Sequence, residues 1–528
     1  MKIRLLILSC FFFLVACNNE VKEKNKQLTD TTAALKGSFH VSPDLSFDSL
    51  ELDSFLQQRP DFEAFKDDFK QFYKLHDYHY VWYDKSGIIE SAHNLISRVQ
   101  TQEDEGVFQS LPYREEFLRM ITLEADKSKQ EQPTIAVELM LTAQYFNYAK
   151  NSWGGGQTIN PAEMGWYLPR KQLSYPDLLQ RQLSLTSENI EQEAVIPQYT
   201  ALREELNRYQ QLEKNGKDVL VSKDDLVRLN FGDSASVVRQ LGERLSQLGD
   251  LSKDSIGDVF NEGLKNAIQR FKKRHGIPLD AKLGGRFVSE LNTPFRKRIE
   301  QLIVNLERMR WIPLGDHGER FVLVNIPAYH LYYYEDSKLT WDCKVVVGKQ
   351  MNQTVIFGGN IQYVVFSPYW YVPPSIIQKE ITPAMRRNPN YLAEHRMEWN
   401  GGQVRQKPGP GNSLGLVKFI FPNANNIYLH DTPSKTLFSE DSRAFSHGCI
   451  RVERPKELAQ LLLKDIPAWT PEKIQGAMQL GKERWVSLPK KVPVYIGYFT
   501  AYLDSQGLLN FRDDVYHLDQ RLLKMMME

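Results

Sequence analysis

A surplus of charge of either sign is missing: 66 Lys and Arg stand against 65 Asp and Glu, for a net charge of +1. A chain without a basic excess gains little from displacing counterions, which excludes nucleic acid as its main partner. Cysteine is nearly absent, with four residues in 528, so no disulfide framework specifies the fold. No glycine-rich phosphate loop, dinucleotide fingerprint, internal repeat or two-histidine-plus-carboxylate spacing occurs, and neither cofactor nor metal is expected. What is present is ordinary for a soluble globular protein, at 42% hydrophobic and 25% charged residues. The length exceeds one ordinary core, and two to four domains are expected.

The one long apolar run opens the chain. "MKIRLLILSCFFFLVAC" carries Lys2 and Arg4, then apolar residues from Leu5 to Ala16. It is short for a membrane span and has the pattern of an export signal. Its end, Leu14-Val15-Ala16-Cys17, resembles the lipobox of bacterial lipoproteins, which implies a signal over residues 1–16 and a lipid on Cys17. Residues 17–45 are polar and predict a flexible tether. The expectation is an exported protein on the periplasmic face of a Gram-negative bacterium, held by its lipid alone to the inner or outer membrane. Cys343 and Cys449 are then the remaining thiols, in a compartment that normally pairs or avoids them. In "LTWDCKVVVG", Leu339, Trp341, Cys343 and Val345 alternate onto one strand face, a core position.

Residues 46–225 predict a mostly helical scaffold, clearest in "TIAVELMLTAQYFNYAK", where Ile135, Leu139, Thr142, Phe146 and Ala149 recur near helical spacing. Residues 226–296 predict three short helices, the first opened by an Asp/Ser cap region. Val237, Leu241 and Leu245 face inward from the first, Leu264, Ile268 and Phe271 from the second, and Phe287, Val288 and Leu291 from the last. With "FKKRHGIPLDAKLG" at its centre this unit resembles a peptidoglycan-binding module, departing at Asp280-Ala281, where the family has Asp-Gly. Residues 297–528 alternate at period two, with turns expected at "GGN" and "PGPGN" and a closing hairpin through Ser505-Gln506-Gly507. The whole is a multidomain α+β chain ending in a mainly antiparallel β domain.

That last domain holds "AFSHGCIRVERP". A thiol attacks as thiolate and needs a base and oxyanion donors. "NNIYLHDTP" predicts a strand ending at His430, and Cys449 returns after about 18 residues, so the two segments can neighbour in one sheet. His430 would take the thiol proton and hold the thiolate as an ion pair. The amides of Gly448 and Cys449 would form an oxyanion hole, Gly448 allowing close approach. On a strand His447 and Arg451 share the face of Cys449, so His447 is a second base candidate and Arg451 a partner for a substrate carboxylate or a brace. Each residue also has a structural reading: a core thiol, a strand-end histidine, a solvated arginine.

"HDTPSKTLFSEDSRAFSHGCIRVERP" resembles the signature of the L,D-transpeptidase (YkuD-type) catalytic domain. "IVNLERMRW", "VLVNIPAYHLY", "VVVGK", "SPYWYVPPSI", "PGPGNSLGLVKFIFPN" and "YFTAY…FRDDVY" resemble the large multidomain members from Gram-negative bacteria. The resemblance implies that Cys449 attacks the bond between the diamino acid and D-Ala of a peptidoglycan tetrapeptide stem, and that another stem amine takes the acyl group to form a 3-3 crosslink. It implies His430 as proton donor and acceptor, with the backbone carbonyl of Asp431 orienting it. Ser446, His447, Gly448 and Arg451 are implied to shape the pocket, and carbapenems to acylate Cys449. The segment from Gln378 to Lys407, shorter than the capping segment of the large relatives, leaves the acceptor open. Water as acceptor would make an L,D-carboxypeptidase, and an inert β domain a wall-binding lipoprotein.

Overall fold

The computed structural model describes residues 45–84, 87–109, 111–125, 133–156, 159–184, 194–313 and 318–527. The expected leader, Cys17 and nearly all of the tether lie outside them. Among the described residues no helix is long and apolar enough to cross a membrane. The chain divides into two compact units, one of residues 1–100, 110–148 and 174–191, the other of the remainder.

The first unit is helical and aromatic. Phe55, Phe62, Phe69, Phe72 and Tyr73 are buried, with rings in edge and stacked contact, such as Phe69 on Phe146 at 5.3 Å. The helix Ile135–Gly154 begins here. From Val137 on it is buried on every side rather than along one stripe, so it is a central helix. Its Glu138, fully buried, accepts hydrogen bonds from the amides of Val81 (2.9 Å) and Trp82 (3.2 Å) and from the Tyr73 hydroxyl (2.9 Å). Burial nevertheless pushes its pKa up to about 7.

In the second unit the helices Ser236–Gln247, Glu262–Arg274 and Arg286–Leu291 form the expected three-helix module. The first helix is preceded by Ala235 with no side-chain cap, not by the expected Asp/Ser cap. The Asp280 turn is fixed by Lys272, whose buried ammonium donates to the Asp280 carboxylate (2.9 Å) and to the carbonyls of Asp280 and Lys282. Arg274 pairs with Asp250 and also donates to the Leu509 carbonyl of the C-terminal hairpin. The helix Phe295–Arg310 leads into the β domain. Its Gln301 and Asn305 bond Thr500 (3.1 and 2.7 Å), and Glu307 pairs with Arg310 at 2.8 Å.

Nine strands follow: β1 (Arg320–Asn325), β2 (His330–Glu335), β3 (Lys338–Gly348), β4 (Phe357–Phe366), β5 (Val417–Ile420), β6 (Leu429–His430), β7 (Ala444–Ser446), β8 (Ile450–Val452) and β9 (Arg484–Gly497). Their order is β7-β3-β8-β6-β5-β4-β9-β1-β2, and β2 pairs with β3 as well. The sheet thus closes on itself, leaving β7 as a branch. Three neighbouring pairs are parallel, β6–β8, β7–β3 and β9–β1, and the rest antiparallel.

Two expectations fail locally. Gly358-Gly359-Asn360 is not a turn but lies inside β4. A Cβ on Gly358 would come within 3.1 Å of Leu168, and one on Gly359 within 3.2 Å of Phe421, so close packing accounts for these glycines. The closing hairpin pairs only Ala501–Leu503 with Leu509–Phe511, because the upstream "VPVYIG" belongs to β9. Between β4 and β5 a cap has its own core of Val372, Ile376, Ile381, Met397 and Val404. It comprises a helical turn Pro374–Ile376 running into a π-helical turn at Ile377–Ile381, two further short helices and a sheet of Trp370–Tyr371, Gln403–Gln406 and Met397–Asn400.

Candidate active site

Register decides which side chains meet. On the parallel pair β6–β8, Leu429 faces Ile450 and His430 faces Arg451, while on β5–β6 Lys418 faces His430. Paired residues point to one face, so Lys418, His430 and Arg451 form a row across three strands. Just before β6 and β8, Tyr428 and Cys449 lie close together, each acting on the other's ionisation. Cys449 therefore has Tyr428 as its direct neighbour and lies within range of the Arg451 charge.

His430 is 4% exposed. Its Nδ1 lies 2.5 Å from the carbonyl oxygen of Asp431. A carbonyl only accepts, so Nδ1 carries the proton and Nε2 is left as the lone-pair nitrogen. The Asp431 carboxylate is turned away, accepting from the amides of Leu416 (2.8 Å) and Thr432 (2.7 Å) and from Lys435 (2.6 Å). It fits because position 415 is glycine; a Cβ there would stand 2.3 Å from that carboxyl carbon. Burial, then the charges of Arg451, Lys418 and Lys435, bring the imidazole pKa down to about 3, against the Asp431 bond that raises it.

The motif loop is set by backbone bonds. Ser446 Oγ donates to the Cys449 carbonyl (2.6 Å) and accepts from the Gly448 amide (3.1 Å). Thr354 Oγ1 donates to the Gly448 carbonyl (2.8 Å) and accepts from the Gly348 amide (2.9 Å). The Tyr516 hydroxyl bonds Gly348 O at 2.6 Å and accepts from the Thr354 amide. Gly448 has φ +118°, while a Cβ there would meet nothing closer than 3.8 Å. The positive φ by itself calls for glycine here.

Several site expectations change accordingly. Residues 447–449 bend rather than continue a strand, so His447 leaves the Cys449 face and bonds Glu380 of the cap at 2.8 Å. Ser446 is buried and engaged with backbone, so it shapes the loop from beneath. The Gly448 amide is occupied by Ser446, which leaves the Cys449 amide, with no acceptor among the described residues, as the available oxyanion donor.

Cys449 is partly exposed and unpaired, and Cys343 is buried and unpaired. The Cys449 sulfur contacts the Asn426 carbonyl at 3.7 Å, with no hydrogen bond to His430. Burial raises its pKa, while hydrogen bonding from Tyr428 and the charge of Arg451 pull it down. Burial thus disfavours charge on both the thiol and the imidazole. Tyr428 and Lys418 were not singled out in the sequence. The signal available was spacing, Tyr428 lying two residues before His430 on a strand. Among the described residues no cluster of three His, Cys, Asp or Glu side chains is placed for a metal ion.

Comparison with known proteins adds the domain identities. Residues 319–496 match the family described as "L,D-transpeptidase catalytic domain" (YkuD), residues 234–291 "Putative peptidoglycan binding domain", and residues 67–206 "Scaffold domain". The chain thus carries a YkuD-type L,D-transpeptidase catalytic domain and a peptidoglycan-binding domain. A curated relative from Haemophilus influenzae, named "Putative L,D-transpeptidase", is 32% identical over 244 residues, 42% of this chain and 49% of the relative, so the chain spans about half of that protein. Among solved structures, an L,D-transpeptidase from Mycobacterium smegmatis matches at 14% identity and TM-score 0.20, covering 34% of this chain and 58% of that one. One from Stackebrandtia nassauensis matches at 15% and TM-score 0.23, covering 52% and 96%. Likeness at that level fixes neither site geometry nor function.

Proposed function

We propose that the chain is a peptidoglycan L,D-transpeptidase acting through Cys449. The observation that carries this is the His430 tautomer: Nδ1 is held by the Asp431 carbonyl, which leaves Nε2 as a base in the row that His430 forms with Arg451, two residues after Cys449. The donor is a tetrapeptide stem. As the sulfur attacks the diamino acid carbonyl, its proton passes to His430 Nε2, and the oxyanion forms against the Cys449 amide, a donor worth about 2.7–4 kcal/mol. The C–N bond breaks, the His430 proton goes to the departing D-Ala amine, and a thioester remains. A second stem's side-chain amine then attacks the thioester and yields its proton to His430. The 3-3 amide forms, and the sulfur regains its proton.

Because burial disfavours charge on both groups, the proton moves with attack rather than before it in this reading. The module at residues 234–291 would hold the wall polymer, and a lipid on Cys17 would tether the protein on the periplasmic face of its membrane. Carbapenems would acylate the same sulfur. The full chain, incubated with purified disaccharide-tetrapeptide beside Cys449→Ala, is expected to give a dimer lacking one D-Ala, absent from the variant. Tripeptide alone would mean a carboxypeptidase. No change in either sample, with binding to sacculi, would leave a wall-binding lipoprotein.

A further inference from the structure

Among the described residues, the buried arginines each donate to at least one acceptor. Arg244 donates to Asp218 and to two carbonyls, Arg298 to Glu290, Arg308 to Asp519, and Arg310 to Glu307. Arg451, half-buried, differs. Its Nε is enclosed and without a partner, and none of its N–H groups donates to a protein acceptor among the described residues. A half-buried guanidinium with nothing to bond is costly unless an anion arrives.

Nearby acids are engaged elsewhere. The Asp431 carboxylate serves Lys435 and two amides, and Glu453 accepts from the Lys344 amide. The other groups facing the row are cations or neutral: Lys418, buried and 4.0 Å from Glu483, His430 and Tyr428.

We propose that Arg451, backed by Lys418 across His430, is the seat for the free C-terminal carboxylate of the residue that leaves. This rests on the transpeptidase reading of the same site. Arg451 follows Cys449 by two residues, so the two are at most about 7 Å apart along the chain, and the Arg451 charge acts on the Cys449 thiol. A carboxylate one residue beyond the scissile carbonyl lies about 3.3–3.6 Å further along the substrate, and the arginine side chain spans the rest. The site thereby measures one residue past the bond it cuts and selects stems that end there. The carboxylate would also offset the positive row that opposes a proton on His430, so the base strengthens once substrate is seated. The depression of the His430 pKa by Arg451 and Lys418 is in keeping with this.

The test uses the full chain, wild type, Arg451→Gln and Arg451→Lys, each with disaccharide-tetrapeptide and with its C-terminal amide. The reading is release of the terminal residue. Wild type is expected to lose about 10- to 100-fold in kcat/KM from acid to amide, the size of one charge-assisted pair. Arg451→Gln should lose a similar factor on the acid and little more on the amide, and Arg451→Lys should regain part of the discrimination. Equal turnover of acid and amide by wild type would overturn the carboxylate seat while leaving the transpeptidase reading intact. So would an Arg451→Gln loss equal on both substrates, which marks a brace. Wild type inert on both would sink the reading and this inference with it. The wild-type comparison stands even if a variant fails to fold.

Discussion

Glu138 in the helical unit and Arg451 in the β domain are both charged side chains withdrawn from water, and they are treated in opposite ways. Glu138 meets three donors supplied by its own unit. Arg451 meets no acceptor, and the Cys449 amide near it is idle too. A polar group that folding has satisfied is explained by folding. Arg451 Nε and the Cys449 amide are left open two residues apart, beside the reactive thiol, where a ligand can complete them. The two thiols repeat the contrast. Cys343 is 2% exposed in β3, and burial pushes its pKa up to about 12. Cys449 is partly exposed beside Tyr428 and a cation that work against that rise.

The sharpest way to break the contrast is to exchange the roles of the two thiols. Cys449→Ala is expected to take crosslink formation to background with a melting temperature close to wild type. Cys343→Ala should keep turnover and lower stability by about 1 kcal/mol. Activity surviving the first, or vanishing with a well-folded second, would defeat the assignment. Next in size, His430→Gln should cost about 10²–10⁴-fold in kcat. Asp431→Asn should stay within about tenfold, since a backbone carbonyl holds the imidazole, while losing about 1–3 kcal/mol of stability. Steady-state rates and denaturant melts on both variants check this pair.

A smaller effect concerns protonation at rest. His430 is neutral above about pH 3, and the Cys449 thiol stays protonated up to a raised pKa. Alkylation of Cys449 by iodoacetamide should therefore keep climbing through pH 9; a plateau near neutrality would reveal a preformed ion pair. The last expected effect lies in the other unit and bears on stability alone. The folded pKa of Glu138 is raised to about 7, so the folded state binds the extra proton. Its contribution is complete below the unfolded value near 4.5 and is lost as pH rises through 7, by about 3 kcal/mol. Glu138→Gln should flatten that slope in urea melts taken from pH 4 to pH 8.

Much of this was legible in the sequence because local rules and packing agree. Pro455 opens the helix Pro455–Leu463, Gly276 ends the helix Glu262–Arg274 with φ +60°, and alternation placed β1 to β3. Position-specific chemistry was harder. Alternation was carried one step too far at His447, because Gly448 at φ +118° breaks the strand. Glycines Gly358 and Gly359 suggested a turn, but neighbours distant in sequence, Leu168 and Phe421, make them strand residues. Thr354 and Tyr516, which hold the motif loop from below, lie 94 residues before Gly448 and 162 beyond Thr354. No short-range pattern links them. The row of Lys418, His430 and Arg451 exists only once strand register is known.

The most direct test of the central claim is the intact mass of the full chain quenched seconds after mixing with disaccharide-tetrapeptide, followed by peptide mapping. The account predicts an adduct of the donor minus D-Ala on the peptide containing Cys449, with Cys343 unmodified, and none in Cys449→Ala. Turnover with no covalent adduct at any quench time, or an adduct that persists in Cys449→Ala, would contradict it.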